Sequence, residues 1–168
     1  RLKVVKQTAN LGVPSGNNRG IRESKGKYLV FLNFDTIVDQ GWLEPLVDTL
    51  DSNPSIAACQ SKLLLTENTH LLDGTGDYVT VHGQSYIKGH LTKDEGHDTI
   101  ENIFAGRTAA LAVRRSALEE IEFFDESYFF AYDDLDGCWR MRLRGYQVVY
   151  NPNSIVYHTG GGYLKQSI

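Results

Sequence analysis

The stretch Lys27-Tyr-Leu-Val-Phe-Leu32 is the feature that most constrains the fold of this chain. A continuous run of apolar strand formers, without polar alternation, is typical of a parallel strand that is buried on both faces. Asn33, Phe34 and Asp35 follow it directly. Because open α/β sheets bind their ligands outside the carboxyl ends of the strands, the sequence predicts that Asp35 belongs to a ligand site.

Helical and strand patterns alternate along the rest of the chain, which indicates an α/β fold. Apolar residues recur at helical spacing from Trp42 to Leu50 and again from Leu135 to Leu143. Five further strands are predicted, over residues 1–6, 55–60, 108–113, 147–150 and 155–158. The pattern weakens over 62–102, where we expect an irregular and partly mobile excursion.

The bulk composition is that of an ordinary globular domain: of 168 residues, 41% are hydrophobic and 23% are charged. The formal net charge of −4 and the pI of about 5.7 argue against a role in binding nucleic acid or anionic membranes. No stretch reaches the roughly 18 consecutive apolar residues of a membrane span. Cys59 and Cys138 stand among apolar residues, which predicts buried thiols in a reducing compartment.

A second acidic cluster, Asp133, Asp134 and Asp136, introduces the last helical pattern. An aspartate at a helix start is commonly an N-cap, and the helix dipole stabilises carboxylates there. A metal site is the alternative, because oxygen ligands from separate segments can converge on Mg²⁺ or Mn²⁺, and Asp35 can join an aspartate of this cluster. Position in the sequence leaves both interpretations open.

Two other kinds of acidic site do not fit these residues. An EF-hand loop would have Tyr132 at position 1 and Leu143 at position 12, where an Asp and a bidentate Glu are required. A phosphatase with an aspartyl nucleophile after a buried strand would need a carboxylate at the position of Asn33.

Three further features have both a structural and a functional interpretation. The loop over 10–20 is rich in Gly and Asn, so it either approaches a phosphate or sugar closely or simply turns into a helix. His158 ends a predicted strand and is either a structural residue or a metal ligand. One of the arginines at 114, 115, 140, 142 and 144 can contact a diphosphate, and the spacing does not say which.

Short motifs run in a fixed order through nearly the whole chain. They are Asn10-Leu-Gly12, Gly16-Asn-Asn-Arg-Gly20, Tyr28-Leu-Val-Phe-Leu-Asn-Phe-Asp-Thr36, Gly41-Trp-Leu43, Asp73-Gly-Thr-Gly76, residues 106–115, Phe124-Asp-Glu126, residues 129–136, Trp139-Arg140, Gly145-Tyr146, Tyr150-Asn-Pro152 and His158. This series resembles the family 2 glycosyltransferases, inverting enzymes of the GT-A fold, and in particular their rhamnosyltransferase-like branch. The resemblance implies a three-layer α/β/α domain with a mostly parallel central sheet, extending over residues 1–168.

The resemblance also implies roles for nine residues. Asp35 lies in the DxD-type site as a ligand of the divalent metal, and His158 matches a histidine near that metal. Asp134 is the expected general base, with Asp133 as the second choice. The residues expected to bind the donor are Asn10, Gly12, Asn17, Asn33 and Arg140. Two positions depart from the family pattern, since Asn33 replaces the first acid of DxD and Asp133 replaces a commoner Glu.

Such an enzyme moves a sugar from a nucleotide-diphosphate sugar to an acceptor hydroxyl with inversion. A Mn²⁺ or Mg²⁺ ion neutralises charge on the leaving diphosphate, and a carboxylate takes the proton of the attacking hydroxyl. We expect the adjacent charges of Asp133 and Asp134 to raise one pKa of the pair. The implied acceptor is a glycan, a lipid-linked molecule or a protein, with no nucleic acid as partner. The implied location is the cytoplasm, with peripheral association at the inner face of the membrane through parts outside this sequence.

The family domain normally begins with a β-α-β stretch and an Asp-rich second strand, and nothing in this sequence matches them. We therefore expect an N-terminally truncated GT-A domain that lacks at least one unit of about 30 residues. The main alternative function is a non-catalytic carbohydrate-binding or scaffolding fragment. Metal-dependent hydrolysis of a nucleotide sugar is a third.

Overall fold

A computed structural model describes residues 2–160 of the chain, so Arg1 and residues 161–168 lie outside the description. Its helices and strands, in chain order, are α1 (Val13–Glu23), β1 (Tyr28–Leu32), β2 (Thr36–Val38), α2 (Glu44–Ser52), β3 (Ile56–Leu65), β4 (Leu72–Gly74), β5 (Asp77–Val79), β6 (Ser85–Ile87), β7 (Glu101–Ile103), β8 (Ala110–Arg114), α3 (Arg115–Glu120), α4 (Asp133–Leu143) and β9 (Gln147–His158). None of the helices in this part of the chain has the length and apolar character needed to cross a membrane.

The central sheet has the strand order β1-β8-β3-β9-β2, with β4 added to β3 and β7 added to β9. Its longest ladder joins β3 and β9 in parallel, from the pair Ile56 and Gln147 to the pair Leu65 and His158. The other ladders are antiparallel, so the expectation of a mostly parallel sheet holds only for the centre. Because β3 and β9 run in the same direction, their carboxyl ends meet at one edge of the sheet.

Helices cover both faces of the sheet, as the predicted three-layer arrangement requires. Ile21 of α1, Leu118 of α3 and Met141 of α4 pack into one core cluster on one face. Leu46 and Leu50 of α2 are fully buried in a second cluster. Burying an aliphatic side chain of this size contributes roughly 1.5–3 kcal/mol, so these contacts fix the sheet between the two helical layers.

The apolar run at Tyr28–Leu32 does form a strand, but its predicted pairing is wrong. Strand β1 lies at the edge of the described sheet and pairs antiparallel with β8. Alternate side chains are open to solvent, with Val30 39% and Leu32 44% exposed. An apolar run reports side-chain character alone, whereas two-sided burial also requires a neighbouring strand and a second covering layer.

One other expectation was wrong at the level of secondary structure, and a second was refined. The described part of the predicted first strand, residues 2–6, belongs to no strand, and Leu2 and Val4 are 91% and 70% exposed. The irregular excursion expected over 62–102 is present, since turns, bends and loops make up most of this segment and connect the end of β3 with strands β4 to β7. Each of those four strands has three residues, which is too short for an alternating pattern to be visible in the sequence.

Candidate active site

Asp35 and His158, both predicted from the sequence to be metal ligands, lie together at the carboxyl edge of the sheet. Asp35 follows β1, and β9 ends at His158, which pairs with Thr36 across the β2–β9 ladder. The Nε2 atom of His158 lies 3.4 Å from Oδ1 of Asp35. The backbone N–H of Thr159 donates to the carbonyl of Asp35 at 3.0 Å, which fixes the loop that carries the carboxylate.

The second imidazole nitrogen of His158 contacts a carboxylate that was not singled out from the sequence. Its Nδ1 atom lies 2.8 Å from Oδ2 of Asp73, on strand β4. Arg107 donates from Nη1 to the same oxygen at 2.7 Å. Burial disfavours the charged form of Asp73, but the neighbouring His158 and Arg107 together hold the pKa of its carboxyl below the usual range.

Asp134, the expected general base, lies in the first turn of α4. Its Oδ2 accepts a hydrogen bond from the backbone N–H of Thr108 at 3.2 Å, and its Oδ1 accepts one from Leu135 at 2.9 Å. Burial raises the pKa of Asp134, while these hydrogen bonds and the charge of Arg107 oppose the shift. Burial therefore favours a carboxylate that takes up a proton more readily than an exposed aspartate does.

The N-cap interpretation of the acidic cluster is wrong. Tyr132 is the N-cap residue of α4, in a left-handed conformation with φ 65°, and no side chain caps the helix there. Asp133 and Asp134 are instead the first two helical residues. Their carboxylates are close to the positive end of the helix dipole, which favours their ionised forms and partly offsets burial.

Asp133 and Asp134 differ in how far solvent reaches them. Asp133 is 3% exposed, and its Oδ2 has no hydrogen-bond partner among residues 2–160. Burial first, and the charge of Asp134 second, raise the pKa of Asp133 to about 6, in agreement with the expected coupling. Asp134 as a whole residue is only half-buried, whereas Asp133 is almost fully buried.

Replacing Asp133 by Asn is expected to remove a pH-dependent cost to stability. Since folding raises its pKa from 3.8 to about 6, ionising Asp133 destabilises the fold as the pH rises between these values. The full cost, about 3 kcal/mol, is reached above pH 6 and is absent below pH 4. Urea unfolding of both proteins at about pH 3.5 and about pH 7.5 measures it. A difference in unfolding free energy between variant and wild type that is equal at both pH values would contradict this assignment.

Arg107 contacts Asp73, the partner of His158, and the next residue, Thr108, contacts Asp134. The positive charge of Arg107 favours the ionised forms of Asp73, Asp77 and Asp134. At Asp77 and Asp134 it only partly offsets the effect of burial, which raises both pKa values. Asp77, which the sequence analysis also missed, has its pKa raised to about 6, first by burial and then by the charges of Asp134 and Asp73. The backbone N–H of Arg107 donates to Oε1 of the fully buried Gln60 at 2.8 Å, which anchors this loop to β3.

The loop expected to bind the donor packs against the segment that leads into α4. Oδ1 of Asn10 accepts a hydrogen bond from the N–H of Gly12 at 3.1 Å. Gly12 has φ 90°, and a Cβ atom there would lie 2.4 Å from the carbonyl oxygen of Phe129. The N–H of Val13 donates to that same carbonyl at 3.0 Å. Only glycine allows this approach, which fixes the chain just before Asp133.

The adjacent residues Asn17 and Asn18 have different surroundings. Asn17 is half-buried and remains a candidate for donor binding. Asn18 is 2% exposed and exchanges hydrogen bonds with the backbone of Phe124, accepting at 3.0 Å and donating at 2.8 Å. It also donates to Glu126 at 3.0 Å. Nothing in the sequence separates Asn18 from Asn17, because adjacent asparagines carry no pattern that distinguishes their roles.

The remaining two predicted donor-binding residues have different surroundings. Asn33 follows β1 directly, and its carbonyl accepts a hydrogen bond from Thr36 at 2.6 Å. Arg140 pairs with Asp136 at 2.7 Å and donates to the carbonyl of Phe123 at 2.9 Å and to that of Ile121. The guanidinium of Arg140 is therefore engaged in holding the α3–α4 connection, and no diphosphate contact is needed to explain its position.

The pair Asp35 and His158 fits a divalent cation that takes its remaining ligands from a substrate. Carboxylate oxygen and imidazole nitrogen suit Mn²⁺, and Mg²⁺ is commonly bound by one or two carboxylates plus substrate phosphates. Over residues 2–160 no group of three His, Cys, Asp or Glu side chains forms a complete protein cage for a metal. The aspartates of the second cluster therefore do not join Asp35 in such a cage.

Residues 1–121 match the family model described as Glycosyl transferase family 2. The chain belongs to this family. A poly-β-1,6-N-acetyl-D-glucosamine synthase of Staphylococcus aureus (strain COL) is 26% identical over 165 residues, which cover 95% of this chain and 38% of the relative. The synthase of Staphylococcus epidermidis is 23% identical over 173 residues, covering 99% and 40%. The chain thus spans about two fifths of the length of these curated relatives.

Solved structures confirm that this family 2 glycosyltransferase chain has the expected GT-A fold. GalNAc-T7 with UDP, GalNAc and Mn²⁺ superimposes with a TM-score of 0.73 at 16% identity, over 90% of this chain and 31% of that protein. The mannosyltransferase PcManGT from Pyrobaculum calidifontis, in complex with GDP-Man and Mn²⁺, gives a TM-score of 0.66 at 15% identity, over 98% and 41%.

Proposed function

We propose that this chain is the catalytic segment of an inverting glycosyltransferase that transfers a hexosyl or rhamnosyl group from a nucleotide-diphosphate sugar to an acceptor hydroxyl. The observation that carries the proposal is a continuous series of contacts across the site. It runs from Asp35 to His158, to Asp73, to Arg107 and, through the backbone of Thr108, to Asp134. Two potential metal ligands and a carboxylate with a raised pKa are thereby held in one rigid arrangement.

Asp35 and His158 are the residues that would hold the metal ion. A Mn²⁺ or Mg²⁺ ion bound there supplies Lewis-acid stabilisation of the charge that develops on the leaving diphosphate. Asn33, beside Asp35, and Asn10, Gly12 and Asn17 on the α1 side are proposed to contact the donor.

Asp134 is proposed to accept the proton of the acceptor hydroxyl. The acceptor oxygen forms its bond to the anomeric carbon while the bond from that carbon to the diphosphate oxygen breaks. The proton goes to Asp134 and the bonding electrons leave with the nucleoside diphosphate. Because attack and departure take place on opposite faces of the sugar, a single displacement inverts the anomeric configuration. Asp133 is the second choice of base, since the residue is only 3% exposed.

Three observations on relatives and fold neighbours support the finer assignments. The curated relatives are named as polymerases of N-acetylglucosamine, and two fold neighbours were solved with Mn²⁺ and a nucleotide or nucleotide sugar. We accordingly propose a glycan, lipid-linked or protein acceptor and a role in polysaccharide biosynthesis for the cell envelope. The buried thiols Cys59 and Cys138 are consistent with the proposed cytoplasmic location.

Donor turnover tests this function. The 168-residue chain, and the longest reading frame that contains it, are incubated in Mn²⁺ with UDP-, GDP- and dTDP-sugars as donors and with glycan, lipid-linked and protein acceptors, with chelator controls. We expect metal-dependent release of a nucleoside diphosphate and a glycoside of inverted configuration. Free sugar as the only product would indicate hydrolysis. Binding of an acceptor without any turnover by either protein would indicate a carbohydrate-binding fragment and contradict the enzyme proposal.

A further inference from the structure

We propose that Asp73 is a positioning residue for His158: its carboxylate keeps the imidazole proton on Nδ1, so that the Nε2 lone pair faces Asp35. The inference deepens the proposed function and rests on it, because a histidine can bind a metal ion only through an unprotonated nitrogen. Neither the family match nor the resemblance assigns a role to Asp73.

The contacts of Asp73 determine which nitrogen of His158 carries the proton. Asp73 is 2% exposed, and its Oδ2 lies 2.8 Å from His158 Nδ1 and 2.7 Å from Arg107 Nη1. An ionised carboxylate only accepts hydrogen bonds, so the hydrogen of the contact belongs to Nδ1. In a neutral imidazole the other nitrogen is then the acceptor. That nitrogen is the one 3.4 Å from Oδ1 of Asp35.

The backbone around Asp73 leaves its carboxylate little freedom. Strand β4 pairs with β3 through Leu63 and Gly74. A Cβ atom added to Gly74 would lie 2.4 Å from Cγ2 of Ile87, which shows how closely the β6 hairpin covers this strand. His90 contacts the carbonyl of Asp73 at 2.9 Å. Three separate segments therefore hold Asp73 in the orientation that His158 requires.

A carboxylate behind a metal-binding histidine fixes both its tautomer and its ring orientation, and the loss of such a partner typically costs 10- to 100-fold in metal affinity. A merely structural role for Asp73, as the partner of Arg107, would contribute to folding without determining the tautomer. The tautomer of His158 therefore distinguishes the two roles.

The test uses ¹⁵N-histidine NMR of the metal-free chain at a pH where the imidazoles are neutral, with His158 assigned from the spectrum of His158→Gln. In the wild type we expect a protonated Nδ1 and an unprotonated Nε2 for His158. In Asp73→Asn the amide can donate to Nδ1, and the proton is expected to move to Nε2, as happens when an amide replaces the carboxylate behind another catalytic histidine.

Asp94→Asn is the matched control. Asp94 also pairs with a buried cation, Lys62, at 2.7 Å, and no contact joins it to Asp35 or His158 in the described structure. We expect Asp94→Asn to lower the melting temperature and to leave the His158 tautomer and the Mn²⁺ affinity unchanged. Asp73→Asn should weaken Mn²⁺ binding, followed by electron paramagnetic resonance, about 10- to 100-fold.

A protonated Nε2 in the wild type would overturn the proposal, and so would an Asp73→Asn variant with unchanged tautomer and unchanged Mn²⁺ affinity. The wild-type tautomer is read without Asp73→Asn, so it decides even if that variant does not fold. If the wild type shows the expected tautomer and binds no Mn²⁺, the proposed metal-assisted function is contradicted while the positioning role of Asp73 is supported.

Discussion

Replacing Asp134 by Asn is expected to lower kcat for sugar transfer about 10²- to 10⁴-fold, the usual contribution of a general base. The amide cannot take the proton from the acceptor hydroxyl, although it retains the shape of the carboxylate. Its hydrogen bonds at Thr108 and Leu135 lie at 3.2 and 2.9 Å, so an amide oxygen can keep one of them. Mn²⁺ and donor affinity, measured by calorimetry, should change little, because the hydrogen bonds of Asp134 go to Thr108 and Leu135 and not to the proposed metal ligands.

Asp136→Asn is the matched control for this experiment. Asp136 belongs to the same first turn of α4, and its carboxylate pairs with Arg140 at 2.7 Å. We expect Asp136→Asn to keep kcat within a few-fold of the wild type, since the loss of a part-exposed pair acts on stability. If Asp134→Asn retained kcat and Asp133→Asn lost it, the base would be Asp133. If both retained kcat, the proposed carboxylate base would be wrong.

Replacing Asp35 by Asn is expected to abolish tight Mn²⁺ binding and to lower kcat/KM for the donor about a hundredfold or more, since Lewis-acid stabilisation contributes several kcal/mol to the transition state. An amide oxygen is a neutral and therefore weaker metal ligand than a carboxylate. His158 is then the only unchanged member of the proposed ligand pair. The measurement is donor turnover against Mn²⁺ concentration. Excess Mn²⁺ should restore part of the activity, because the imidazole remains.

Asp39→Asn serves as the control for Asp35. Asp39 is exposed, lies just after β2, and its Oδ1 accepts a hydrogen bond from the N–H of Gln40 at 2.8 Å. Asp39→Asn removes one negative charge, as Asp35→Asn does, at a nearby place in the chain. Asp39 is not a proposed metal ligand. Equal losses of Mn²⁺ affinity in both variants would show that the metal is attracted by the overall negative charge of this region and is not coordinated directly by Asp35.

The sequence located candidate residues where they lie next to an apolar run or a helical pattern. Asp35 follows such a run and the acidic cluster at 133–136 opens such a pattern, whereas the roles proposed for Asp35 and Asp134 came from the family resemblance. The pairing of β1 could not be predicted, because the same run of apolar residues is compatible with a central parallel strand and with an edge strand. What decides between them is the neighbouring backbone, which the run itself does not contain.

Asp73 and Arg107 lie within the motif series, but no role could be assigned to them, for a different reason. Asp73 belongs to a three-residue strand, and Arg107 lies in a loop, so neither has a periodic context. Their importance comes from a shared contact with His158, which is 85 residues from Asp73 in the chain. Pairs at such a separation leave no trace in a single sequence unless a motif links them.

The position of β9 has a consequence for the order in which the protein acquires its site. This strand supplies His158 and inserts between β3 and β2, although it is the last described strand to be synthesised. Pairings between distant segments form slowly, because the chain must close a large loop before any contact rewards it. A nascent chain that ends before residue 147 therefore has Asp35 and Asp134 but lacks His158, the second proposed metal ligand. The proposed site is complete only when β9 pairs with β3 at the centre of the sheet.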